Sequence, residues 1–256
     1  MKYFQYCYKC DTRFSRAVNM HFFHLRCVPC MNECQLPQNS LLVVSPRESL
    51  SYATDAWGNA IQYGSLLEPH NRFTYMSTGT VAVMPYLIPA RQAEGVYCIP
   101  STLTACDGAL VEAGKSIAAC GSPLYQALEL SALVFGQMTY CPNSTVNATT
   151  AAQAFAQCQG VCQDYAHVLL ALCRQRGLAV RYVNGFIPGE GQTHAWIEVW
   201  NQGAWHGIDP THNRLIDTGY IKIAHGRDAA DCPVNRGVFR GVAEQQTCIQ
   251  VTVKEI

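Results

Sequence analysis

Cys162 stands in Gly160-Val161-Cys162-Gln163-Asp164, where a glycine break gives way to the clearest amphipathic helix in the chain. A thiol in the first turn of a helix meets unpaired backbone N–H groups and the positive end of the macrodipole, a setting that favours the nucleophilic thiolate. Cys158 precedes the glycine and Cys173 falls on the apolar stripe, so neither shares that setting. A thiolate nucleophile works with an imidazole as base and a third group that orients the imidazole. His167 lies five residues further on, about 140° around a helix of 3.6 residues per turn, and so points away from Cys162. His194 begins the strand-like His194-Ala195-Trp196-Ile197-Glu198-Val199-Trp200, and after the turn Asn201-Gln202-Gly203 the chain returns through Ala204-Trp205-His206-Gly207-Ile208-Asp209. A two-residue loop at Asn201-Gln202 sets Asp209 directly opposite His194, and a three-residue loop shifts the partner by one. In either register the carboxylate is a cross-strand neighbour of the imidazole, with opposed Cβ atoms ~5 Å apart. The expected catalytic set is therefore Cys162, His194 and Asp209. An oxyanion formed at Cys162 would take its backbone N–H and one further donor, for which Gln157 and Gln159 are candidates by proximity.

Turning to the elements that hold these residues, residues 150–158 read as a short helix capped by Thr150, Gly160 as a break, and 162–176 as a helix burying Tyr165, Val168, Leu169, Leu172 and Cys173. Earlier helices are expected at 107–119, with Asp107 as N-cap, and at 122–137, with Pro123 at the first helical position. Strands are expected at 179–184, 194–200 and 204–208, with a further alternating segment at 246–253. Residues 1 to about 83 read differently, as strands at 3–9, 18–27, 41–44, 50–54, 60–66 and 73–83 separated by turn chemistry such as Asp55-Ala56-Trp57-Gly58-Asn59. This is the pattern of an all-β unit, a sandwich. The proline-rich stretch 85–100 marks a crossover between the two parts.

Eighteen basic and 18 acidic residues leave no net charge, which removes the bulk electrostatic case for nucleic acid or an anionic membrane. Apolar residues make up 49% of the chain, enough for a large core, yet no run approaches the ~20 residues of a membrane span. The first residues lack the apolar centre of an export signal, so a soluble cytoplasmic protein is expected. Fourteen cysteines are many, but the cytosol keeps thiols reduced, and no disulfide framework is expected. The spacing Cys7-x-x-Cys10 and Cys27-x-x-Cys30 fits a four-thiolate zinc pattern. Both pairs, however, lie in strand-like text without the glycines that turn a chain around a metal, and the preferred reading makes them small hydrophobes. No metal and no cofactor is expected.

The segments Gly160-Val161-Cys162-Gln163-Asp164-Tyr165-Ala166-His167, Thr193-His194-Ala195-Trp196-Ile197-Glu198-Val199 and Ile208-Asp209-Pro210-Thr211 closely resemble the bacterial transglutaminase-like cysteine peptidase family. Gly226-Arg227-Asp228-Ala229-Ala230-Asp231 and Arg236-Gly237-Val238-Phe239-Arg240-Gly241 resemble its C-terminal signature. The N-terminal third is similar to the β-rich domain that precedes the catalytic domain in that family. The resemblance implies an α+β protein: a β-sandwich-like domain over residues 1–90, then a papain-like, transglutaminase-like catalytic domain over 91–256. It also implies that Cys162, His194 and Asp209 match the family's catalytic cysteine, histidine and aspartate. Three functions are compatible with this text: a thiol hydrolase cleaving a peptide, isopeptide or related amide, an acyl transferase using the same triad, or a non-catalytic peptide-binding module. The expected partner is a peptide or protein substrate.

Overall fold

The alternation at 3–9 and 18–27 belongs to a single strand, β1 (Lys2–Leu25), in a computed structural model that describes residues 1–256. Its pairing shifts between Arg13 and Val18 and again between Asn19 and Phe22, near Met20 with φ 46°. Such irregularities bend and twist a strand without ending it. They were invisible as period-2 pattern and read as a gap. β1 therefore changes partners along its length. Its first half lies between β5 (His70–Val83) and β16 (Gln245–Glu255), and its second half between β4 (Ala60–Leu66) and β15 (Asn235–Arg240). β2 (Gln35–Ser45) extends the sheet beyond β5, and β3 (Ser51–Thr54) beyond β4. This first, curled sheet thus draws strands from both ends of the chain.

β6 (Leu87–Pro89) crosses to a second sheet, and the helices follow: α1 (Gly108–Lys115), α2 (Pro123–Gln137), α3 (Ala151–Gln157) and α4 (Cys162–Gln175). Short strands β7 (Thr139–Tyr140) and β8 (Gln159–Gly160) pair in parallel between them. Asp107 occupies the N-cap position of α1 but its side chain makes no capping bond, whereas Ser122 Oγ accepts the Tyr125 N–H and Thr150 forms a full capping box with Gln153. The second sheet contains β9 (Val180–Phe186), β11 (His194–Asn201), β12 (Ala204–Asp209), β13 (Arg214–Leu215) and β14 (Ile221–Gly226), with β6 beside β12. β10 (Gly189–Gly191) pairs instead with β16, so the strand leading into His194 borders the first sheet. The molecule is β-rich, with its helices gathered on the second sheet.

The five residues expected on the apolar stripe of α4 are all buried, and so is every other residue from Asp164 to Arg174. α4 lies against α2, α3, β9 and β11 and is enclosed on nearly every side. A helix so placed is costly to disturb, since truncating one of its buried leucines to alanine removes about 2–5 kcal/mol. Its one buried cation, Arg174, donates to the carbonyls of Tyr97, Val180 and Arg227 and to Thr104 Oγ1, which satisfies the guanidinium and ties the loop carrying Arg227 to the helix.

Candidate active site

Cys162 is the first residue of α4, and the residues around it explain the local sequence. Asp164 accepts the Val161 N–H at 2.8 Å and the Thr145 hydroxyl at 2.7 Å, capping the helix start. Gly160 makes that close approach possible, because a Cβ there would come within 2.5 Å of Asp164 Cβ. Helix geometry leaves the N–H groups of Cys162 and Gln163 without intrahelical acceptors.

The hairpin differs from its expected register. Its loop is Gln202-Gly203, both with positive φ (49° and 87°), as a tight hairpin turn requires. Asn201 pairs with Ala204 and Ile197 with Ile208, so the next pair sets Asp209 opposite Trp196 and not opposite His194. The slip from expectation is two residues, which preserves the face, since side chains alternate with period two. Asp209 remains the diagonal neighbour of His194, and its Oδ2 accepts from His194 Nε2 at 2.8 Å. On the other side of β11, His194 pairs with Gly185, where a Cβ would lie 2.4 Å from the Trp196 ring.

Asp209 has no solvent exposure and is held by more groups than the sequence suggested. Oδ2 also accepts from Tyr220 OH at 2.6 Å and His212 Nδ1 at 2.7 Å, while Oδ1 accepts the N–H groups of Thr211 (2.9 Å) and His212 (3.3 Å). Burial opposes the charge, but these donors, His194 foremost, hold the carboxyl well below the usual carboxylate range. For His194 burial again opposes the charged form. Hydrogen bonding to Asp209 and Cys162, and the charges of both, outweigh it and bring the imidazole up to about 9. With Nε2 engaged by Asp209, Nδ1 is the ring nitrogen left for the thiol. The structure thus brings the three expected residues together. His212, which the sequence places beside the site in a surface or supporting role, supports the carboxylate, whereas Tyr220 was missed. The i,i+3 spacing of Asp209 and His212 was a usable signal, whereas nothing local marks Tyr220.

A cleft of about 720 Å³ opens over Cys162 and His194, lined also by Tyr140, Asn184, Glu190 and Thr193. A neighbouring cleft shares Gln163, Asn184 and Thr193 with it and continues over the first sheet to Tyr8, Tyr75 and Arg236. The oxyanion candidates Gln157 and Gln159 are exposed at the end of α3 and on β8 and do not line the cleft. Tyr140 of β7, paired with β8, lines the cleft together with Cys162 where the glutamines do not.

Other singled-out residues are structural. His167 is fully buried, its Nε2 accepts the Ala229 N–H at 3.2 Å, and burial lowers it to about 4. Trp196 Nε1 donates to Tyr86 OH at 3.0 Å. Tyr86 in turn donates to Glu198, which also bonds Arg181 and Lys222 in a buried cluster beneath β11. The four thiols of the two Cys-x-x-Cys pairs do not meet at a point: Cys27, just beyond the end of β1, neighbours Cys10 on that strand, and Cys30 lies beside Lys222.

Residues 111–210 match the model of the transglutaminase-like superfamily core, and residues 4–82 that of the bacterial transglutaminase-like N-terminal region. An uncharacterized protein of Mycobacterium tuberculosis (strain H37Rv) is 31% identical over 79% of this chain and 79% of its own. One from Mycobacterium leprae (strain TN) is 28% identical over 77% of this chain and 80% of its own. The crystal structure of a Cytophaga hutchinsonii protein put forward as a cysteine protease superposes with a TM-score of 0.78 at 22% identity, covering 100% of this chain and 92% of that one. The chain belongs to the transglutaminase-like superfamily, within the bacterial group that carries this N-terminal region.

Proposed function

We propose that this protein is a thiol hydrolase that cleaves a peptide, isopeptide or related amide through an acyl-enzyme on Cys162. The observation that carries the reading is His194 held between a buried, ionised Asp209 and the thiol of Cys162 at the floor of a cleft. In this reading the residues from 91 onward form a papain-like catalytic unit, and the N-terminal sheet supplies the far wall of the substrate cleft. The Cys162 thiolate attacks the carbonyl carbon, and the resulting oxyanion takes the Cys162 N–H and the Tyr140 hydroxyl. The His194 imidazolium gives its Nδ1 proton to the leaving amine. The neutral ring then takes a proton from water, whose oxygen displaces the sulfur, and Asp209 keeps the ring in its working tautomer throughout.

The same acyl-enzyme would be resolved by an amine in a transferase. Product analysis separates the two outcomes. A mixed peptide pool incubated with the protein, with and without a primary amine, is expected to yield cleaved products in both cases and none with Cys162→Ala. Amine incorporation without cleavage would replace hydrolysis by transfer, and no Cys162-dependent product from any pool would favour a binding module.

A further inference from the structure

The carboxylate of Asp209 has a second imidazole on it. His194 Nε2, Asp209 Oδ2 and His212 Nδ1 all lie within 4.8 Å of one another, and the three side chains converge from β11, the end of β12 and the turn that follows it. Two imidazole nitrogens and one carboxylate oxygen, with further coordination positions open, are a donor set that zinc and neighbouring divalent transition metals accept. The support that such a site needs is already built. Asp209 Oδ1 is fixed by two backbone N–H groups, so the carboxylate cannot rotate away. The His194 ring is oriented by the strand and stands over Trp196, with ring centres 6.4 Å apart. An entry path exists as well, because the His212 side chain is 47% exposed while Asp209 is fully covered.

We propose that His194, Asp209 and His212 form a binding site for a divalent transition-metal ion, which enters past His212 and holds the protein in an inactive form. Ligand atoms about 2.0–2.2 Å from a tetrahedral zinc stand about 3.3–3.6 Å apart, so the 2.8 and 2.7 Å contacts of the two rings with Asp209 Oδ2 open slightly as the ion takes the place of the protons between them, and the exposed His212 ring makes the adjustment. The proton balance is simple. The ion replaces the Nε2 proton of the His194 imidazolium, which leaves to solvent. His212 coordinates through Nδ1 and carries its ring proton on Nε2. Binding of the ion rests on the geometry alone. Inactivation rests on the proposed function, since a metal on Nε2 takes Asp209 away from the ring and leaves a metal-bound imidazole whose Nδ1–H is a far weaker acid toward the leaving amine than the imidazolium is.

Cobalt(II) and zinc chloride are the probes, on the full chain. Cys162→Ala is expected to bind one cobalt ion with a visible spectrum that lacks a thiolate-to-cobalt charge-transfer band. His212→Gln in that background keeps a hydrogen-bonding side chain against Asp209 but is a poor ligand. It should lower zinc affinity in calorimetry by more than the roughly 10- to 100-fold that loss of an outer-shell contact costs. Subtracting the two spectra removes any contribution from the other thiols. A difference spectrum without any His212-dependent cobalt band would place the metal on cysteines and overturn the proposal, as would no binding at submillimolar metal. Neither experiment needs turnover, so a failed metal site and a failed hydrolase remain distinguishable. Where a substrate is in hand, zinc inhibition reversed by a chelator and weakened by His212→Gln is expected, and inhibition unaffected by that change would overturn the inactivating role.

Discussion

Asp209 stands opposite Trp196, two residues out of register with His194, and still accepts the His194 Nε2 proton at 2.8 Å. A diagonal contact of this kind relies on the carboxylate being aimed, and the aim comes from Tyr220, His212 and two backbone N–H groups, not from the ladder. Asp209→Asn should therefore fold and yet lower kcat/KM by about four orders of magnitude, the loss seen in related triads. An amide leaves one acceptor where three side-chain donors converge and cannot stabilise the imidazolium. Steady-state kinetics with circular dichroism as the fold control checks this, and a loss below tenfold would show that Asp209 does not orient the base.

The His194 imidazole, brought up to about 9, sets a pH window. A histidine raised above its ordinary 6.5 adds stability in full below about 6.5 and loses it as the pH rises through about 9. The proton donor disappears over the same interval. The alkaline limb of kcat/KM should fall near pH 9, and the thermal midpoint should decline from about pH 7 to 10. Asp209→Asn should move the kinetic limb to lower pH, because the first of the opposing contributions to burial is removed.

The candidate triad was legible in the sequence because each member carries a local reason: a thiol at a helix start, a histidine opening a strand, an aspartate ending its hairpin. The register was not legible, since Asn201-Gln202 and Gln202-Gly203 both make a two-residue loop. Parity rescued the conclusion, for the true loop moved the pairing by two. The length of β1 was hidden for a different reason. Two irregularities inside one strand break the alternation that a strand is recognised by, and the partners that hold it straight through lie more than 200 residues away in β15 and β16. Tyr220 belongs to the same class, placed on Asp209 by chain path and not by local pattern.

His167 tests the choice of base. It is neutral and fully buried, and its Nε2 accepts the Ala229 N–H. His167→Ala leaves that N–H without a partner and opens a cavity, a cost of about 1–3 kcal/mol for the hydrogen bond alone. Chemical denaturation should register the loss, while kcat/KM of the folded fraction stays within a few-fold of the parent. An inactive but folded variant would transfer the base role from His194 to His167.

Glu198 is expected to matter for stability first. Burial works against its charge, but Arg181 and Lys222 hold it ionised, and neither cation has another carboxylate in the cluster. Glu198→Gln strands two buried cations, which costs about 3–5 kcal/mol by analogy with other broken buried pairs. In a chain of this size that corresponds to a fall in Tm of roughly 6–20 °C. A change of under 2 °C by calorimetry would mean that the cluster contributes little to folding.

Reactivity at Cys162 can be separated from mere accessibility, because three other thiols are better exposed. Cys120, Cys158 and Cys248 lie on the surface, Cys162 is only partly exposed, and Cys10, Cys27, Cys34, Cys173 and Cys232 are buried. If exposure governed alkylation, the three surface thiols would react first. The rate instead follows the thiolate, and Cys162 alone combines a helix N-terminus with an imidazolium beside it. Brief treatment with substoichiometric iodoacetamide at pH 7, read by peptide mapping, should therefore label Cys162 ahead of Cys158, although the two stand four residues apart and Cys158 is the more open. His194→Ala supplies the control. It removes the cation but not the helix end, so labelling of Cys162 should drop toward the rate of the surface thiols while theirs stays unchanged. Equal labelling of Cys162 in the parent and in His194→Ala would mean that the imidazole does not activate the thiol, and the assigned pairing of nucleophile and base would fail.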